Sequence, residues 1–96
     1  MNEKALNTKE MKELFEVILQ LNSAVEVKNF MRDLCTIGEL EAMSERFQVV
    51  KLLRAKTPYR EIAKKTGSST ATITRIAHWL HHGMGGYELV LKRMKA

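Results

Sequence analysis

The chain has 96 residues, 45% of them hydrophobic and 28% charged, with a net charge of +5 and a single cysteine. That length makes one domain with a modest core, and no apolar run approaches the roughly 20 residues that span a bilayer, so nothing points to a membrane. Lone Cys35 cannot close an internal disulfide, and the opening MNEKALNTKE has no apolar signal region, so a reducing cytoplasmic setting is expected.

The positive charge is concentrated. Residues 1–53 carry seven Lys/Arg against nine Asp/Glu, whereas residues 54–96 carry nine against two. A basic half of this kind attracts a polyanion when it coincides with a reading motif; alone, it would be a solvated face.

In chain order, Asn7 with Glu10 has the form of a capping box, opening a helix with the apolar face Met11, Leu14, Phe15, Ile18 and Leu21. Ser23 with Glu26 is a second box, followed at helical spacing by Val27, Phe30, Met31 and Leu34. Cys35, among Met31, Leu34 and Ile37, reads as a buried structural thiol. Thr36 with Glu39 is a third box. It starts a long helix through Leu40, Met43, Phe47, Val50 and Leu53, ending near Lys56 before Pro58. Val49, Val50, Leu52 and Leu53 make that helix apolar on more than one side, which a lone chain of this size can hardly cover, so a homodimer is expected.

Residues 57–80 read as two short helices around a glycine turn. Thr57 is placed to cap the first, with Pro58 in its first turn. Gly67 supplies the left-handed turn, and Ser68 and Ser69 offer a hydroxyl cap for the second. Ile62 and Ala63, then Ile73, Ile76, Ala77 and Leu80, face inward. This is a helix-turn-helix, whose second helix enters the major groove of duplex DNA. Gly83, Gly85 and Gly86 then break the chain before a last helix over 86–95. The fold class is all-α, with about six helices. Residues 1–96 form a single domain: 1–56 for dimerisation, 57–80 for reading, 86–95 as a C-terminal helix.

Ser69, Thr70, Ala71 and Thr74 lie in the first turns of the second reading helix, where short hydroxyl and methyl groups meet base edges. Arg60, Lys64 and Lys65 suit phosphates, assisted by Ser68 and the helix N-terminus; Arg60 could instead read a guanine.

The stretch T-I-G-E-L-E-A-M-S-E-R from Thr36 to Arg46, Y-R-E-I from Tyr59 and A-T-I-T-R from Ala71 to Arg75 resemble the Trp repressor family, in order and across three elements. The resemblance covers roughly Asn29 to Leu80. It implies an intertwined all-helical homodimer acting as a transcriptional repressor on a two-fold symmetric operator. It also implies a tryptophan site between the long helix and the reading helix. The matching positions are Thr36, Arg46, Thr72 and Arg75, with the two arginines flanking the indole. Two positions depart from the family. Ile76 stands where the family has Gly, and Trp79 where it has a small Ser, so both are expected to fill the cavity, Trp79 either as a core anchor or in the ligand slot itself. Free L-tryptophan is therefore not expected as co-repressor; no cofactor is called, though another small effector stays open.

His78 and His82, four apart, have no Cys or Glu beside them to complete a metal set, so no metal is expected. No nucleophile–base pair or phosphate-cradling loop appears, which argues against an enzyme. The alternative to a DNA-binding regulator is a helix-turn-helix used for protein or RNA interaction.

Overall fold

The structure, a computed structural model, describes residues 3–95. After a 3-10 turn at Glu3–Asn7 come six α-helices and, among the described residues, no strand: α1 Lys9–Ile18, α2 Ala24–Leu34, α3 Ile37–Arg54, α4 Tyr59–Thr66, α5 Thr70–His82 and α6 Gly86–Met94. The chain divides between Leu40 and Glu41 into two units. The boundary falls inside α3, whose second half supplies Val49 and Val50 to the core of the second unit.

In the first unit, the box expected at Asn7 is displaced by one residue. Thr8 is the N-cap and accepts from the Met11 amide at 3.2 Å, so α1 starts at Lys9. It ends at Ile18, leaving Leu21 beyond the helix. Ser23 caps α2, accepting from the Glu26 amide, while the Glu26 carboxylate reaches one residue further back than expected, to the Asn22 amide at 2.8 Å. The Thr36–Glu39 box is complete: the Glu39 amide donates to Thr36 Oγ1 at 3.1 Å and the Thr36 amide to Glu39 Oε1 at 2.8 Å. Cys35 is only half-buried and closes α2 as its C-cap, with Leu34 and Ile37 beside it exposed. The expected buried thiol is thus a helix-ending residue. Neither α1 nor α2 buries a single residue, although Phe15, Val25 and Val27 are apolar and exposed.

The second unit has a true core. Val49 and Val50 of α3, Ile62 of α4 and Ile73 of α5 are fully buried, and Ile76, Leu80 and Leu91 join them in one cluster. Each such aliphatic side chain contributes about 1.5–3 kcal/mol by leaving water. Leu52 and Leu53 are partly buried against it, so the broad apolar surface of α3 is accounted for here mainly by Val49 and Val50. Arg54 Nη2 and Glu88 Oε2, 3.2 Å apart, join α3 to α6, but both are half exposed, so the pair adds little.

The end of α3 differs from the sequence expectation. Lys56 sits at φ 61°, in the left-handed region; its amide donates to Leu53 O at 2.9 Å, and the Thr57 amide to Leu52 O at 3.0 Å. That is a Schellman closure built on lysine instead of glycine. The N-cap of α4 is then Pro58 and not Thr57, extended at ψ 143° and without a side-chain cap bond.

Candidate nucleic-acid interface

The turn between α4 and α5 is shaped by Thr66, Gly67 and Ser69. Thr66 Oγ1 donates to Ile62 O at 2.7 Å, closing α4, and accepts from the Ser68 amide at 3.2 Å. Gly67 follows at φ 78°, a backbone region open to glycine, and its amide bonds Ala63 O at 2.9 Å. Ser69 is the N-cap of α5, accepting from the Thr72 amide at 3.1 Å and donating to Thr72 Oγ1 at 3.0 Å.

Against this frame the expected reading residues separate clearly. Ser69, Thr70, Ala71 and Thr74 are exposed, while Ile73, Ile76, Ala77 and Leu80 of the same helix are buried. Thr74 Oγ1 donates to Thr70 O at 2.9 Å, which leaves its lone pairs outward as acceptors. Arg60, Lys64 and Lys65 of α4 are exposed, as cations for phosphates must be. Ser68 is the correction. It is buried, at 9% exposure, and its hydroxyl donates to Glu45 Oε1 of α3 at 2.7 Å, so it is spent inside the protein rather than offered to a phosphate.

The ligand-site positions also separate. Arg46, Thr72 and Ile76 line one pocket of about 300 Å³, together with Ala42, Glu45 and Ser68. Arg75 is exposed and does not line it, and Thr36 belongs to the first unit, where it caps α3. Trp79 is not in this space. It is 37% exposed and lines a separate apolar groove of about 470 Å³ with Phe47, Met84, Tyr87 and Val90. The space beside Arg46 therefore stays open, narrowed by Ile76 and not plugged by tryptophan. Trp79 is turned the other way because Leu80 and Ile76 take the inward positions of α5.

The histidines sit in the last turns of α5, with the His78 and His82 rings 5.1 Å apart and the His78 ring edge-on to Trp79 at 5.2 Å. No group of three or more His, Cys, Asp or Glu among the described residues is placed to hold a metal. No helix among them is long and apolar enough to cross a membrane. Two contributors escaped the sequence reading. Glu45 is a plain exposed-type residue of a helix, and nothing local marks its bond to Ser68; Lys56 lacks the glycine that usually signals such a turn.

The family model for Trp repressor protein matches residues 9–95. The chain is 41% identical over 90 residues to YerC of Bacillus subtilis (strain 168), a protein of uncharacterized function, covering 94% of this chain and 86% of that protein. Among solved structures, a TrpR-like protein from Eubacterium eligens ATCC 27750 is 44% identical, with a TM-score of 0.92, over 98% of this chain and 96% of the other. A candidate Trp repressor from Staphylococcus aureus is 37% identical, with a TM-score of 0.91, over 99% and 95%. With the helix-turn-helix, the all-α order and these matches in agreement, the chain belongs to the Trp repressor family of DNA-binding transcription regulators.

Proposed function

We propose that this protein is a sequence-specific repressor that binds a palindromic operator in duplex DNA as a homodimer, and that free L-tryptophan is not its co-repressor. The observation that carries the reading is the division of the helix-turn-helix. Ile62 and Ile73 are sunk in the core, while Arg60, Lys64 and Lys65 and the hydroxyl and methyl groups of Ser69, Thr70, Ala71 and Thr74 stand in solvent. Cations of this kind supply affinity for any phosphate backbone, and short side chains at a helix N-terminus supply choice among bases.

Dimerisation is supported by the first unit. Helices with apolar faces and no buried residue are stabilised only when something covers them, and a second copy supplies that cover. Two reading helices about 34 Å apart then match a two-fold site. The proposal on tryptophan is supported by Ile76, which narrows the pocket at Arg46, and by Arg75, which lies outside the lining.

Selection of duplexes from a random pool tests the reading. Recovery of a palindrome supports it. No enrichment even at low salt overturns it, and leaves a protein- or RNA-interaction module.

A further inference from the structure

In the second unit, α4 and α5 are joined to α3 by an apolar cluster and, among the described residues, by a hydrogen bond from the turn between them. The hydrogen bonds of Thr66 to Ile62, Ser69 to Thr72 and Thr74 to Thr70 are local to single turns. Ser68 to Glu45 bridges 23 residues, at 2.7 Å, from the interhelical turn to the scaffold helix. A hydroxyl on a carboxylate at that distance falls in the charge-assisted range, the stronger class of hydrogen bond. Ser68 is buried and doubly held, its amide by Thr66 Oγ1 and its hydroxyl by Glu45. It is also the residue immediately before the cap of α5, so the bond anchors to α3 the end of the turn from which the reading helix starts. An apolar cluster of aliphatic side chains resists separation but is tolerant of small sliding, whereas a hydrogen bond is directional.

We infer that Glu45 and Ser68 are positioning residues for DNA reading: their hydrogen bond latches the α4–α5 turn onto α3, and so fixes the angle of the reading helix without any bound effector. The inference rests on the DNA-reading proposal above. Base-edge contacts require that angle; phosphate contacts by long lysine and arginine side chains accommodate a loose one.

The experiment uses the full chain, dialysed free of small molecules, on its selected duplex and on a random duplex of equal length. Ser68→Ala and Glu45→Ala should each weaken binding to the selected duplex about tenfold, and to the random duplex less than about twofold. The double variant should be no worse than either single one, because both remove the same bond. Ser68→Thr keeps the hydroxyl and should recover binding to within about threefold of the parent. Amide hydrogen exchange in the first two turns of α5 should quicken in Ser68→Ala while α6 is unchanged. Equal losses on both duplexes, losses that multiply in the double variant, or failure of Ser68→Thr to rescue would overturn the latch. A parent protein that selects no duplex defeats the DNA-reading proposal instead. Exchange then decides the latch alone: unaltered protection of α5 in Ser68→Ala sinks it, and faster exchange confined to α5 upholds it.

Discussion

Ser69 and Thr72 hold each other twice, the Ser69 oxygen accepting from the Thr72 amide at 3.1 Å while its hydroxyl donates to Thr72 Oγ1 at 3.0 Å. The cap of the reading helix is thus also an exposed group at the end proposed to meet DNA. Ser69→Ala should lower unfolding free energy by about 1 kcal/mol. Ser69→Asp should keep that stability, since aspartate caps as well and its charge suits the helix dipole, yet weaken DNA binding by repelling phosphate. Urea unfolding and gel shifts on the same samples separate the two effects; an aspartate variant that binds normally would place the duplex elsewhere.

The exposed cations and hydroxyls should differ in what they control. Lys64→Ala is expected to weaken binding to every sequence and to reduce the slope of log K against log salt by roughly 1. Thr74→Ala should instead cost about 1–3 kcal/mol of preference at one base position, with random-sequence binding intact. Identical behaviour of both variants on selected and random duplexes would refute the docking.

Lys56 adopts φ 61°, where a side chain is strained and glycine is not. Lys56→Gly should therefore stabilise the fold by about 0.5–1 kcal/mol, after allowance for the extra freedom glycine gains in the unfolded chain. Chemical denaturation measures it, and a destabilised variant would mean that the lysine side chain contributes more than its backbone costs.

The Thr36 amide, and then its hydroxyl, hold the Glu39 carboxyl below its ordinary 4.5. A group whose folded pKa is depressed contributes stability above the unfolded value and loses it as pH falls through the folded one. Stability should thus decline on acidification below about 4.5, and Glu39→Gln should flatten that part of the profile. Carbon-detected titration of the Glu39 carboxyl, read beside unfolding curves, provides the check.

Isothermal calorimetry with L-tryptophan should show no stoichiometric binding in the micromolar range, because Ile76 takes room in the pocket at Arg46. Micromolar, one-per-chain binding would show that the side chain yields.

What was legible in the sequence was what is local. The Thr36–Glu39 box, the Gly67 turn, the Ser69 cap and the inward register of Ile73 to Leu80 all depend on residues within a turn or two of one another, so spacing reports them. Thr57 is not the cap: α3 closes through the left-handed lysine before it, and α4 begins one residue later than expected, with Pro58 at the cap position. The Ser68–Glu45 bond and the direction of Trp79 were hidden for a different reason. Both are decided by how α3 meets α5, and that meeting joins residues far apart in the chain.

The bare apolar faces of α1 and α2 carry a consequence for dosage. If a second copy covers them, chain folding and pairing are one bimolecular event, and below the pairing constant operator occupancy grows with the square of the chain concentration. Regulation would then have a threshold set by expression level alone.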